Sequence, residues 1–186
     1  MIDHFGILAP FYDLFLGRGR PKRLARFLTI PEGGVLLDAG GGTGRVSRHL
    51  LAEAGQVVVS DISFPMLFEA RKKGGFLLSL APAETLPFRD AVFDNAIVVD
   101  ALHHFRDQEA SLKEFARVLK PGGRLVIEEP NIELFPVKAV ALAEKMLKMR
   151  SRFLSPPEIA RIAARTGLKT RIEKTRAFRT WIIADK

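Results

Sequence analysis

Val35-Leu36-Leu37-Asp38-Ala39-Gly40-Gly41-Gly42-Thr43-Gly44 is the stretch whose reading decides the fold. Its first five residues read as a buried strand that ends in glycines. From Gly44 to Ala54, Val46, Leu50 and Leu51 recur at helical spacing, which predicts a helix. Strand, glycine turn and helix together make a nucleotide-binding arrangement. Glycines let the backbone approach a ligand with no Cβ in the way, and a helix N-terminus offers unpaired N–H groups and a partial positive charge. Spacing then decides between nucleotides. A dinucleotide fingerprint, Gly-x-Gly-x-x-Gly, begun at Gly40 and Gly42 needs a glycine where Arg45 stands. A phosphate-binding P-loop needs Gly-Lys-Ser/Thr, which is absent. What stands is Asp38-x-Gly40-x-Gly42-x-Gly44.

An acid at position 38 repels a pyrophosphate. It suits a ligand with a cationic amino group and no phosphate, and S-adenosyl-L-methionine is such a ligand. Working outward, Gln56 to Ser60 reads as a second strand. Asp61 follows it, 17 residues past Gly44, where an acid accepts hydrogen bonds from both ribose hydroxyls. The competing reading is that the glycines only close a tight turn and Asp61 only caps one.

Ser63 before Phe64-Pro65 is a helix start, an N-cap hydroxyl with proline in the first turn. That helix runs to about Lys73 and stops at Gly74-Gly75. Further strands are expected at 76–80, 95–99 and 124–128. A helix is expected over 108–119, ended by Lys120-Pro121-Gly122-Gly123. Such alternation is the signature of a parallel α/β sheet with helices on both faces. After it, 135–149 and 156–166 read as helices, and 169–174 and 179–184 as an antiparallel hairpin. At the front, 5–16 is apolar with aromatics, and 21–30 reads as a helix. No repeat or low-complexity segment breaks the 186 residues, so one domain is expected. It divides into an N-terminal helical lid (1–30), a cofactor-binding core (31–130), and helices with a C-terminal hairpin (131–186).

The chain has no cysteine, which excludes disulfides, cysteine zinc sites and a cysteine nucleophile. His4 and His49 show no ligand spacing, so no metal site is expected. No apolar run reaches the ~20 residues of a membrane span, and the N-terminus has no basic n-region, so a cytoplasmic protein is the expectation. The net charge of +8 is unevenly spread: residues 1–144 hold 17 basic and 18 acidic side chains, and residues 145–186 hold 12 and 3. A second basic cluster is Arg18, Arg20, Lys22, Arg23 and Arg26. Such fields favour RNA, acidic lipid head groups or phosphorylated metabolites, against the plainer reading of a solvated face.

Read together, these motifs resemble the type 11 class I methyltransferases, the group around the ubiquinone/menaquinone C-methyltransferases. The resemblance spans about residues 5–130. Beyond the glycine turn it rests on Asp61-Ile-Ser-Phe-Pro-Met-Leu67, Ala83-Glu-Thr-Leu-Pro-Phe-Arg-Asp90, Phe93-Asp94, Leu102-His-His-Phe105 and Ala116-Arg-Val-Leu-Lys-Pro-Gly-Gly123. Ala9-Pro10-Phe11-Tyr12-Asp13 also looks like the Ala-x-x-Tyr-Asp that opens many quinone methyltransferases. The resemblance implies a Rossmann-like seven-stranded sheet, mostly parallel with an antiparallel C-terminal strand and helices on both faces. It implies S-adenosyl-L-methionine as cofactor and S-adenosyl-L-homocysteine as product. Gly40, Gly42 and Gly44 then lie under the methionine and ribose portions, and Asp38 orients the amino group. Asp61 takes the ribose, Ile62 packs on adenine, and Ala83 and Glu84 lie beyond it. Val99, Asp100 and the residues to His103 face the methionine end. Relatives often place an aspartate before the Ala-Glu pair for the adenine amino group; here that position is Pro82, so another acceptor is needed, a backbone carbonyl or Glu84.

Methyl transfer to an activated donor asks mainly for alignment and exclusion of water; a phenol or enol acceptor also needs a base. His103 and His104 follow the fourth strand, and adjacent residues on a turn point apart, so one of them, His103, is the candidate base. Against it stands a purely structural pair. Phe5, Phe11, Tyr12 and Phe15 are candidates for an acceptor lid, with Tyr12 able to orient the acceptor; ordinary helix packing is the alternative. Asn131 and Phe135 are further pocket candidates. The leading function is methylation of a small apolar or aromatic acceptor such as a quinone precursor, with the basic C-terminal segment on an anionic membrane surface. The second is an RNA methyltransferase using that segment on phosphates, although no Asn-Pro-Pro-Tyr-type motif is present. The third is a non-catalytic cofactor-binding protein. An oligomer is left open.

Overall fold

Seven strands form one sheet, in the order β3-β2-β1-β4-β5-β7-β6. The computed structural model describes residues 21–134, 137–138, 151–174 and 178–186. The elements run α1 (Pro21–Ala25), β1 (Val35–Ala39), β2 (Gln56–Asp61), α2 (Phe64–Lys73), β3 (Phe76–Leu80), β4 (Phe93–Val99), α3 (Gln108–Val118), β5 (Leu119–Pro130), α4 (Pro156–Arg165), β6 (Lys169–Lys174) and β7 (Arg179–Asp185). The pairs β1–β2, β1–β4, β2–β3 and β4–β5 are parallel, whereas β7 lies antiparallel to both β5 and β6. This is the seven-stranded Rossmann-like sheet, mostly parallel, with the expected C-terminal hairpin.

Side chains alternate across the strands, so one run of apolar residues feeds two cores. Leu37, Val58, Ala96 and Ile127 pack with Leu112 and Phe115 of α3 and Ile159 of α4. Leu36, Val57, Val59, Ile97, Val126 and Trp181 pack on the other face with Leu24 of α1 and Leu67 of α2. Helices therefore cover both faces, and the central strands are apolar toward both, interrupted by Asp38 in β1 and by Asp94 and Asn95 in β4.

The order reverses between β1 and β4: the chain moves outward from β1 to β3, then returns to β4 on β1's other side. In open α/β sheets the crevice at such a switch point, beyond the carboxyl ends of the strands, is where ligands bind.

Two sequence expectations are corrected here. Residues 44–54 do not form a helix; they make turns around a 3-10 turn, Ser47–His49, with His49 N–H donating to the Val46 carbonyl and Leu50 N–H to that of Ser47. Ser47 is buried and its hydroxyl donates to Asp38, which holds this segment tight against β1. Val46 and Leu50 are still buried, so the apolar spacing is satisfied by a tighter winding. The helix expected over 21–30 is only α1, because Phe27 and Leu28 N–H donate three residues back and Thr29 N–H donates to Asn95 Oδ1 at 3.0 Å. Pro31 also disfavours helical backbone at Ile30. Ser63 does precede α2 but its side chain makes no capping bond. The expected segment 5–16 and most of 135–149 lie outside the described residues.

Candidate functional site

The carboxyl ends of β1, β2, β4 and β5 bring together most of the residues singled out above. At the end of β1, Gly40, Gly42 and Gly44 all have positive φ, at 68°, 54° and 67°. A Cβ on Gly40 would lie 2.7 Å from the Ala101 Cβ, which joins the turn to the end of β4. At Gly42 the nearest atoms to such a Cβ are Met66 Sδ at 3.8 Å and Asp61 Oδ2 at 3.9 Å. The turn is therefore closed against the sheet at Gly40 and open beside Asp61 at Gly42, a cradle that a side chain would partly fill.

Asp38 is buried beneath this turn and accepts from the Ser47 hydroxyl. Burial pushes its carboxyl up to about 6, with neighbouring Asp61 adding to the rise, while the Ser47 bond and Arg45 oppose it. Asp61, at the end of β2, accepts from Gly42 N–H through Oδ2 and from Ser63 N–H through Oδ1, both at 2.8 Å. One carboxylate thus ties the glycine turn to the start of α2. Ile62 beside it is exposed (74%). Ala83 is buried, and Glu84 Oε1 accepts from the Asp107 N–H at the start of α3 (3.0 Å). The Pro82 carbonyl accepts from Thr85 N–H in a local turn.

Beyond β4, Asp100 has φ 53°, a left-handed backbone that a residue with a Cβ adopts only at a cost. Its carboxylate meets the guanidinium of Arg179 from β7 and lies 3.7 Å from that of Arg45. Arg179 also reaches to 3.6 Å of buried Glu128. Burial works against the charged guanidinium, but Asp100 and then the two glutamates outweigh it and raise its pKa.

Next comes the 3-10 turn Leu102–His104. His103 is only 6% exposed, and its Nδ1 lies 2.5 Å from Glu129 Oε2. Glu129 Oε1 accepts from the N–H groups of Ala101 (3.0 Å) and Leu102 (2.8 Å). Two backbone donors hold this carboxylate as an acceptor, so it accepts a hydrogen bond from Nδ1–H and leaves proton-accepting chemistry on the ring to Nε2. Phe153 stacks on the His103 ring at 4.3 Å and 17°. The His104 ring lies 4.0 Å from it between centroids, and its Nδ1 lies 3.1 Å from Ser151 Oγ. Burial, then the neighbouring His103, push His104 down to about 3, so it is neutral at ordinary pH and ill-suited to take up a proton.

Glu129, Arg179, Ser47 and Phe153 were not singled out from the sequence. Glu128-Glu129, two acids at the end of an apolar strand, was the one readable signal. Asn131 N–H donates to the Phe178 carbonyl and its side chain caps Glu133 N–H. Tyr12, Phe5, Phe11, Phe15 and Phe135 lie outside the described residues. Among the described residues no group of His, Cys, Asp or Glu is arranged to hold a metal, and no helix is long and apolar enough to cross a membrane.

Residues 37–127 match the family described as "Methyltransferase domain". The chain is 34% identical over 167 residues to the ubiquinone/menaquinone biosynthesis C-methyltransferase UbiE of Chromobacterium violaceum, covering 77% of this chain and 68% of that protein. In fold it is similar to a Haloferax volcanii methyltransferase solved in complex with the Trm112 methyltransferase activator. That match has a TM-score of 0.88 and 19% identity, over 100% of this chain and 98% of the other. It is also similar to an S-adenosylmethionine-dependent methyltransferase of Thermotoga maritima, with a TM-score of 0.82 and 22% identity over 98% and 97% of the two chains.

Proposed function

The chain belongs to the S-adenosylmethionine-dependent methyltransferases of the type 11 group, and from that premise we propose that its acceptor is a small aromatic or enolic molecule such as a quinone precursor. When bound, S-adenosylmethionine supplies a methyl group already activated by a cationic sulfur. The donor set fits it: Asp61 and the open side of Gly42 for the ribose, acidic Asp38 near the cationic end, and no motif for phosphate.

The observation that carries the acceptor reading is the His103–Glu129 pair. A phenolic carbon becomes nucleophilic when the neighbouring hydroxyl gives up its proton. Glu129 holds Nδ1 protonated, so Nε2 of His103 accepts that proton, and Glu129 stabilises the imidazolium that results. Phe153 and His104 hold the ring against rotation. Loss of the proton from the methylated carbon to solvent restores the aromatic ring as a phenolate, and the His103 imidazolium returns its proton to that oxygen. The UbiE relative supports carbon as the methylated atom. The test is methyl transfer from labelled donor to a panel holding a quinol, a catechol and a primary amine. A C-methylated quinol is expected, and methylation of the amine alone would overturn the reading.

Contact of the basic C-terminal segment with anionic lipid or RNA draws little support from the described residues. Arg165 pairs with Glu109, Arg171 with Asp185, and Arg179 with Asp100, so three of its twelve basic side chains are already matched. A protein partner is favoured instead. The Haloferax relative is a methyltransferase with an activator protein, and this chain carries an exposed apolar strand at one sheet edge. Titrating Haloferax Trm112 into this chain by calorimetry tests whether it takes such an activator; saturable one-to-one heat is expected.

A further inference from the structure

Residues 151–155 form no helix or strand, yet they supply Phe153 to the His103 ring. Backbone outside a ladder is held only where its polar groups find other partners. Among the described residues, Arg152 is where this segment is fastened. Its N–H donates to the His103 carbonyl at 2.8 Å. Its carbonyl accepts from the side-chain amide of Gln108 at 2.7 Å, across 44 residues of chain. The same Nε2 donates to the Leu102 carbonyl at 2.9 Å. Gln108 is the first residue of α3 and is only 4% exposed. One amide nitrogen therefore joins the turn that carries His103 to the segment that covers it. On either side of Phe153 the segment has further holds. Ser151 Oγ meets His104 Nδ1, Leu154 packs on the core shared by α3 and α4, and the Ser155 N–H donates to Glu158 at 2.8 Å.

We propose that Gln108 is a positioning residue, which fastens this segment so that Phe153 stays stacked on the ring of His103. This role rests on the reading of His103 as the base, and it is exerted through the backbone of Arg152. The residue type suits the task. An amide nitrogen carries two N–H donors, enough for two carbonyls, whereas an ionised glutamate or a leucine carries none. Oε1 of the same amide is buried with no partner. An unmet buried acceptor costs free energy. An apolar side chain would spare that cost, but it would leave the Arg152 carbonyl unmet and the segment unfastened. Ring geometry links the clamp to the chemistry. Glu129 holds the Nδ1 edge of His103, and Phe153 lies 17° from parallel against its face. With Glu129 alone the ring can still tilt about that edge and carry Nε2 with it. A base acts only within hydrogen-bond reach of the proton it takes, so a tilt of Nε2 is felt directly in the rate.

Gln108→Leu keeps the bulk and removes both donors, while Phe153→Leu keeps the clamp and removes the stacked ring. Each is made in the full chain and followed by hydrogen exchange of the Arg152 amide, by the NMR shifts of the His103 ring protons, and by single-turnover methyl transfer to the quinol. In Gln108→Leu the Arg152 amide should exchange faster, and the His103 ring protons should lose the shielding of the stacked ring and move downfield. The rate should fall about 10- to 100-fold, as when a reacting group is misplaced by about an ångström, with affinity for S-adenosylhomocysteine unchanged. The double variant should be no slower than Gln108→Leu, because both changes act through one contact; losses that multiply would overturn the route through Phe153. Gly33→Ala, strained at a turn before β1 by its φ of 70°, controls for lost stability and should keep the wild-type rate. An Arg152 amide and His103 shifts that do not move in Gln108→Leu would overturn the clamp, whatever the rate. Moved shifts with a wild-type rate would overturn its part in catalysis where His103→Gln is inactive. A wild-type rate in His103→Gln itself would sink the base reading, and exchange and shifts would still decide the clamp. If Gln108→Leu does not fold, Gln108→Glu, which sets an acceptor against the same two carbonyls, takes its place in every measurement.

Discussion

Replacing Gly42 by alanine separates a cofactor cradle from a mere turn. The φ of 54° is left-handed, so an alanine there costs about 1–2 kcal/mol. No clash adds to that cost, since the new Cβ would find nothing closer than 3.8 Å. Gly33, at φ 70° with nothing within 4 Å of its Cβ position, is the matched control. Both variants should fold and lose about 2–8 °C in Tm, taking about 2–4 °C per kcal/mol for a chain of this size. They should differ in ligand binding. The Gly42 methyl projects to within 3.9 Å of Asp61 Oδ2, into the space assigned to the ribose. Overfilling such a space costs about 1–3 kcal/mol, or roughly 5- to 150-fold in Kd. Scanning calorimetry measures the first quantity, and titration with S-adenosylhomocysteine the second. Equal affinities for Gly42→Ala and Gly33→Ala would refute the reasoning, because the glycines would then serve the backbone alone.

Asp61→Asn keeps one acceptor for Gly42 or Ser63 and turns an amide N–H toward the other, so one charge-assisted bond goes. The ribose hydroxyls likewise meet a neutral amide in place of a carboxylate, and losing one charge-assisted bond to them, about 1.5–3 kcal/mol, predicts cofactor affinity about 10- to 150-fold weaker by titration; unchanged affinity would defeat the ribose role. Glu129→Gln retains an oxygen for the Ala101 and Leu102 N–H groups but sets an amide N–H against His103 Nδ1, forcing the proton to Nε2. Steady-state kinetics should show kcat lower by about 10²–10⁴ with KM little changed; kcat within twofold of wild type would make the pair structural. Asp38, whose folded pKa of about 6 exceeds the ordinary 3.8, holds its proton to higher pH in the folded chain than in the unfolded one. Its contribution to stability therefore falls as pH rises from about 4 to 6, by about 3 kcal/mol, and Asp38→Asn should flatten that slope in denaturant titrations. A cation bound nearby favours the carboxylate, so S-adenosylmethionine affinity should rise between pH 5 and 7; a flat profile would place Asp38 away from the cationic end.

Which parts were legible in the sequence follows from how far each interaction reaches along the chain. β1, the glycine turn and Asp61 lie within 27 residues and follow local rules of strand, turn and spacing. The alternating order and the hairpin likewise follow from apolar period and turn residues. The winding after Gly44 was not legible, because Val46, Leu50 and Leu51 fit a helix and only the Ser47–Asp38 bond shows otherwise. The Glu129 clamp on His103 spans 26 residues and the Arg179–Asp100 pair spans 79. Such pairings come from strand order, which brings the ends of β4, β5 and β7 side by side. A histidine after β4 could thus be singled out, but not the group that sets its tautomer.

The charge at the switch point gives an independent argument for the cofactor. Asp38, Asp61, Asp100, Glu128 and Glu129 all stand at the carboxyl ends of strands, and burying carboxylates is costly unless each is matched. Asp100 and Glu128 have Arg179, with Arg45 close to Asp100. Glu129 has two backbone N–H groups and His103, and Asp61 has two backbone N–H groups. Asp38 is compensated least: its Ser47 bond and Arg45 fall short of its burial and the repulsion from Asp61, and its pKa rises. A phosphate placed on this turn would add negative charge where negative charge is already least tolerated. A ligand carrying an ammonium and a sulfonium, with hydroxyls for Asp61, relieves the same imbalance. Asp38, the acid that disqualifies a pyrophosphate, is therefore the one that suits S-adenosylmethionine, and its discrimination is electrostatic before any shape of the pocket is considered.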